Sequence, residues 1–227
     1  MEPIQPLEPM SQSAMDRLRN NNIIQAWLVL TLAICFGAAL AGIYLMLGPK
    51  IEANKLNETL EKVPELVLGA EQVQIMAEQN KELDIDPRSI TVEKNGRKIF
   101  YSVYQAKYAD GKSAGWVVKT AGQGYADKIE LLLGLDPMAE NITGVFILDQ
   151  KETPGLGNKI VTDEWRSQFI QKKTHKSLAV VKEGAVEANE IDAITGATIS
   201  SRSVTSIINT AVNDLKGSLT AKAPNGS

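Results

Sequence analysis

The chain has 227 residues, 44% of them hydrophobic, which is room for one packed domain with attachments. A net charge of -3 and an aromatic content of 5% supply neither a basic face nor a base-stacking surface, so nucleic acid is excluded as the general partner. One cysteine, Cys35, and one histidine, His175, rule out an internal disulfide and a thiolate-bound iron–sulfur cluster, so any electrons handled here need an organic cofactor.

Residues 1–22 are polar, carry Pro3, Pro6 and Pro9, and read as a flexible tail. Residues 23–48 are the opposite. No charge falls between Ile23 and Leu47, and only Gln25 and Thr31 interrupt the apolar run before Gly48-Pro49. About 25 residues at 1.5 Å each span roughly 37 Å, enough to cross a hydrocarbon core of about 30 Å with some tilt. The run is too long and starts too late for a cleaved signal peptide. Trp27 and Tyr44 fall near its two ends, where amphipathic rings favour the interface. Ala33, Gly37 and Ala41 repeat every four residues, a spacing that lets a second membrane helix approach, although small residues are common in such helices anyway. Arg17 and Arg19 before the span nearly balance Lys50 and Lys55 after it, so charge alone leaves the orientation open.

Residues 49–88 read as a helical connector, with one piece over residues 54–68 interrupted at Pro64 and another over residues 73–82. Residues 89–217 form the expected domain. Ile90 to Glu93 and Ile99 to Gln105 flank Asn95-Gly96, a hairpin signal, and Asp110-Gly111 repeats the device before the stretch from Gly115 to Lys119. Ile129 to Leu133 and Ile142 to Leu148 supply two more strands, and Ser177 to Val181 another. The expected class is α+β, with a twisted, mainly antiparallel sheet covered by helices on one face. Trp165 and Phe169 place a short helix over residues 163–171, and His175 sits in a basic polar turn where a lone imidazole is solvated. Residues 218–227 read as a disordered tail.

Two stretches carry candidate chemistry. Glu152-Thr153-Pro154-Gly155-Leu156-Gly157 combines a fixed φ with two glycines, and so is a shaped loop. A plain turn would use the same residues. Asp192-Ala193-Ile194-Thr195-Gly196-Ala197-Thr198-Ile199-Ser200-Ser201 runs directly into a helix whose apolar positions are Val204, Ile207, Ile208, Ala211, Val212 and Leu215. The loop therefore sits at a helix N-terminus, where unpaired N–H groups and a partial positive charge favour a phosphate. Gly196 and Ala197 allow close approach; Thr195, Thr198, Ser200 and Ser201 offer hydroxyls. An ordinary N-cap draws on the same Ser-Ser pair, and a P-loop is disfavoured by the missing Gly-Lys-Ser/Thr ending.

Asp192-x-x-Thr195-Gly196-Ala197-Thr198 resembles the flavinylation motif of the membrane-anchored FMN-binding domains, the RnfG and NqrC subunits of respiratory ion-pumping complexes. Two further blocks match in the family's order: Gly124-Tyr125 with Lys128-Ile129, and Glu152 to Gly157 with Lys159-Ile160. The resemblance implies FMN joined by a phosphoester to Thr198, within a pocket formed by Asp192, Thr195, Gly196, Ala197, Ser200, Ser201, Glu152, Thr153, Gly155, Leu156, Gly157, Gly124 and Tyr125. Lys159 is either a cation that stabilises reduced flavin or a solvated lysine. Gln150 stands where the family often has histidine, so no proton role is carried over. No general acid, base or nucleophile is then required.

The implied whole is an electron-relay subunit of an ion-translocating ferredoxin:NAD oxidoreductase, the Rnf complex. It would sit in the bacterial inner membrane with a cytoplasmic tail and a periplasmic FMN domain, partnered by the other Rnf subunits and matured by a flavin transferase. The alternatives are an NqrC-like subunit of a Na⁺-translocating NADH:quinone oxidoreductase, and a cofactor-free tethered assembly module.

Overall fold

A computed structural model describes residues 21–94 and 96–220. The expected tail up to residue 20, Asn95 of the expected Asn-Gly turn, and residues 221–227 of the expected disordered tail lie outside the described residues. The chain divides into two compact units, Met1–Asn54 and Lys55–Ser227.

Helix α1 spans Asn22–Leu68, 47 residues. It is a helix long and apolar enough to cross a membrane, and every side chain from Ile23 to Leu47 is exposed. Asn21 starts it by accepting from the amides of Ile23 and Ile24 at 3.0 and 3.4 Å. The expected breaks at Gly48-Pro49 and Pro64 do not occur. A helical proline costs about 3 kcal/mol, and around Pro64 the burial of Val63, Leu66 and Val67 against the sheet opposes that cost.

The sheet is a five-stranded antiparallel meander in the order β1 (Asp84–Lys94), β2 (Arg97–Lys107), β3 (Ser113–Gln123), β4 (Lys128–Leu135), β5 (Ile142–Asp149). Strands β1 and β2 pair up to Lys94 opposite Arg97, with Gly96 at φ +72°, and the Asp110-Gly111 signal is realised as a turn in which Gly111 has φ +82°. Helix α2 (Ala70–Glu78) is shorter than the expected piece over residues 73–82, because the chain already turns into β1 at Asp84.

Two layers of side chains cover the sheet, and this differs from the one-face arrangement expected. On one face Tyr104, Ala106, Val117 and Leu132 pack against Val63, Leu66 and Val67 of α1. Gly134 and Gly144, paired across β4 and β5, leave room there: a Cβ on Gly134 would come 2.3 Å from the Leu66 carbonyl oxygen. The Thr143 hydroxyl donates to that same carbonyl at 2.6 Å. Residues 55–68, expected as part of a connector, are therefore a layer of the folded unit. Period-3.6 spacing showed their apolar side but not its partner.

The opposite face packs on α4 (Thr198–Thr220), preceded by α3 (Asp163–Arg166) and a 3-10 turn at Ser167–Phe169. Val204, Ile207, Ile208, Ala211, Val212 and Leu215 are buried as the spacing predicts. Leu219, one turn beyond Leu215, is also fully buried. The helix thus continues to Thr220 and corrects the expected disorder of residues 218–220: one more apolar contact outweighs the weak helix propensity of Gly217. Strands β6 (Ala179–Val181) and β7 (Glu190–Asp192) form a small parallel pair, the second of them unexpected at three residues.

The first hairpin is pinned to α4 by polar contacts. Tyr101 donates to Asp214 at 2.9 Å, and Lys94 pairs with the other Asp214 oxygen at 2.8 Å. Burial, with the Asp214 hydrogen bond and charge beside it, pushes the Tyr101 phenol up to about 12. The folded value lies above the ordinary 10.0, so this contribution is complete below that pH and is lost as pH rises through about 12. Melting temperatures of the full chain should fall across that alkaline window, and the Tyr101→Phe variant should show a shallower fall. Equal slopes for both proteins would count against it.

Candidate functional site

Two tight turns with one design meet at the site. Thr153-Pro154-Gly155-Leu156 closes with the Leu156 amide donating to Thr153 at 3.2 Å, and Gly155 has φ +75°. Ile194-Thr195-Gly196-Ala197 closes with the Ala197 amide donating to Ile194 at 2.8 Å, and Gly196 has φ +79°. Both are type II turns, in which the third residue needs positive φ and proline suits the second. They face each other: a Cβ on Gly196 would lie 3.0 Å from Leu156 Cδ2.

Between these turns and the start of α4 lies a cavity of about 460 Å³, lined by Tyr125, Thr153, Leu156, Gly157, Gly196, Ala197, Thr198, Ile199 and Ser200. All three stretches singled out from the sequence contribute to it. The site residues Glu152, Gly124, Gly155, Thr195, Ser201, Asp192 and Lys159 do not line it. Glu152 is buried just behind the wall, and its Oε1 accepts from the Ala126 amide at 3.1 Å. Asp192 works in the opposite direction: its Oδ1 accepts from the Ala185 amide and its carbonyl from Trp165 Nε1, which braces the strand feeding the loop. Lys159 is exposed and makes no side-chain hydrogen bond or ion pair among the described residues.

The four loop hydroxyls are sharply sorted. Ser200 is buried and donates to Glu152 Oε2 at 2.5 Å. Ser201 is buried, donates to the Ala197 carbonyl at 3.1 Å and accepts from the Ile194 amide at 3.0 Å. Thr195 is exposed outside the cavity. Thr198 is half-buried, lines the cavity as the first residue of α4, and its hydroxyl has no hydrogen-bond partner among the described residues.

Sequence reasoning missed Ile199, which is 55% exposed and lines the cavity. Its signal was present: at 100° per residue it falls on the far side of the helix from the Val204–Leu215 stripe. Gln150 has a structural part that the sequence did not suggest. It accepts from the Glu152 amide at 2.6 Å, a local contact that shapes the loop.

Residues 124–213 match the family described as the FMN-binding domain. The RnfG subunit of the Na⁺-translocating ferredoxin:NAD⁺ oxidoreductase complex of Acetobacterium woodii is 42% identical over 112 residues, 48% of this chain and 53% of that protein. Its counterpart in the proton-translocating ferredoxin:NAD⁺ oxidoreductase complex of Clostridium ljungdahlii is 34% identical over 149 residues, 66% of this chain and 76% of that protein.

The chain belongs to the RnfG family of ion-translocating oxidoreductase subunits.

The match spans about half the length of the Acetobacterium RnfG, at 53%, and three quarters of the Clostridium one, at 76%. The fold is shared with NqrC of Shewanella oneidensis, with a TM-score of 0.61 at 20% identity over 75% of this chain and all of that one. The corresponding NqrC subunit of the Na⁺-translocating NADH-quinone reductase of Parabacteroides distasonis gives 0.52 at 26% identity, over 72% of this chain and 90% of that one. The cavity suits FMN, the ligand of the matched family, on its own chemistry. Tyr125, Leu156 and Ile199 give apolar surface for a flat ring, and the first turn of α4 presents backbone N–H groups toward a phosphate.

Proposed function

We propose that this chain is a membrane-anchored electron-relay subunit of an ion-translocating ferredoxin:NAD oxidoreductase complex, with FMN joined through its phosphate to the Thr198 hydroxyl. The observation that carries the reading is the sorting of the loop hydroxyls. Ser200 and Ser201 are buried and bonded, while Thr198 alone of the four both lines the cavity and keeps its hydroxyl unbonded among the described residues.

When bound, flavin supplies one- and two-electron chemistry, and the protein supplies position and electrostatics. The first turn of α4 offers donors and a favourable field to the phosphate next to Thr198. Tyr125, Leu156 and Ile199 would offer apolar surface to the ring when it is bound. The two type II turns fix the wall positions, so little reorganisation is needed on each turnover. A covalent link keeps the cofactor from diffusing away on the far side of a membrane, and it calls for a separate flavin transferase during maturation.

The Asn22–Leu68 helix anchors the chain, with the FMN domain on the periplasmic side of the bacterial inner membrane and the other subunits of the complex as partners. Identities of 42% and 34% to RnfG members, against 26% to an NqrC, favour the ferredoxin:NAD assembly over a quinone-reducing one.

Mass spectrometry of the peptide containing Thr198, from protein made in its native host, tests the assignment. An adduct of FMN mass on Thr198 is expected. An unmodified peptide, or an adduct on Ser200, overturns it.

A further inference from the structure

Glu152 has an unusual setting. The residue is 4% exposed, both carboxyl oxygens accept hydrogen bonds, and no lysine, arginine or histidine among the described residues pairs with it. Its contacts are all to the walls of the cavity or to their immediate neighbours. Oε2 takes the Ser200 hydroxyl at 2.5 Å, and Oε1 takes the Ala126 amide, next to Tyr125, at 3.1 Å. A Cβ on the wall residue Gly157 would stand 2.9 Å from Oε2. The wall residues Ser200 and Gly157 therefore stand directly beside this carboxylate. Such a group is expensive to bury, and only hydrogen bonds and the positive end of α4 offset it.

We propose that Glu152 holds down the reduction potential of the flavin in this cavity, as a fixed negative charge behind its wall. The proposal rests on the reading of the cavity as an FMN site. The half-reaction takes two electrons from the reductant and one proton from solvent into the neutral oxidised ring, leaving one net negative charge there. A buried like charge behind the wall opposes that gain, so reduction becomes harder. By bridging Ser200 and the Ala126 amide, Glu152 also fixes the spacing between α4 and the β3–β4 turn. The potential and the geometry are therefore separable only by comparing substitutions.

The test uses the full chain carrying flavin, in detergent, titrated with dithionite while its absorbance is followed. Glu152→Gln removes the charge and keeps the shape, and its midpoint should move to a more positive potential than that of the unsubstituted protein. Ser200→Ala removes one hydrogen bond and keeps the charge, and its midpoint should move by less than half as much. An unshifted or more negative Glu152→Gln midpoint, or equal shifts in the two variants, overturns the proposal. If Glu152→Gln does not load flavin, the unsubstituted protein labelled with ¹³C-carboxyl glutamate decides. Its reduced-minus-oxidised infrared difference spectrum should contain a labelled carboxylate band, and a spectrum without one, or with only a protonated-acid band, overturns the idea. Absence of flavin from the unsubstituted protein would instead sink the FMN assignment itself.

Discussion

Replacing Thr198 by valine should leave the protein folded and remove essentially all covalently held flavin. The two side chains are nearly isosteric, and the Thr198 hydroxyl makes no hydrogen bond among the described residues, so the stability change should stay within about 0.5 kcal/mol. The phosphoester, by contrast, finds no other open hydroxyl of the Thr195–Ser201 loop in the cavity. Ser200 is 3% exposed and tied to Glu152, and Ser201 is fully buried and tied to Ala197. The measurement is in-gel fluorescence of denatured protein, backed by intact mass. Thr195→Val is the matched control. It lies outside the cavity, and its fluorescence should stay close to that of the unsubstituted chain. Retained covalent flavin in the Thr198 variant, or equal loss in both, would count against the assignment.

The second large effect is structural. Trp116 on β3 is fully buried in the cluster that joins the sheet to α4, and its indole N–H donates to the Pro137 carbonyl at 3.2 Å. Trp116→Ala deletes the side chain, leaves a cavity and orphans that carbonyl, which together should cost about 3–5 kcal/mol. For a chain of this size the melting temperature should drop by roughly 6–20 °C. The loss should appear in flavin loading as well, because the same cluster holds Val204 and Ile207, which seat the helix that begins at Thr198. A melt within a few degrees of the parent's would show that β3 and α4 are held together by something else.

Much of the fold was legible because its signals are local. The charge-free run from Ile23 to Leu47 can only be a buried or membrane helix, the Asn-Gly and Asp-Gly pairs set two turns, and the spacing from Val204 to Leu215 draws one apolar face. The meander followed from short gaps between apolar runs, since neighbouring strands joined by tight turns pair antiparallel. Residues 55–68 were not legible in the same way. Their apolar side chains were visible, but the surface they cover is the glycine-floored stretch of β4 and β5 around Gly134 and Gly144, about 70 residues further on. The extension of α4 to Leu219 was hidden likewise, because a single leucine beyond a glycine carries no periodicity.

The site divides along the same line. Sequence alone determined that the Pro154-Gly155 segment is a shaped loop, that a second loop around Thr195-Gly196 runs into a helix, and that hydroxyls cluster at its mouth, since each depends on residues within a few positions of one another. Only the tertiary structure decided that the two turns face one cavity and that Tyr125 and Ile199 join its walls. It also decided which hydroxyls are spent on internal bonds, with Glu152 reaching Ser200 across 48 positions of chain. Those facts depend on which groups are brought together by packing two faces of a sheet, and contacts of that range leave no pattern in the order of the residues.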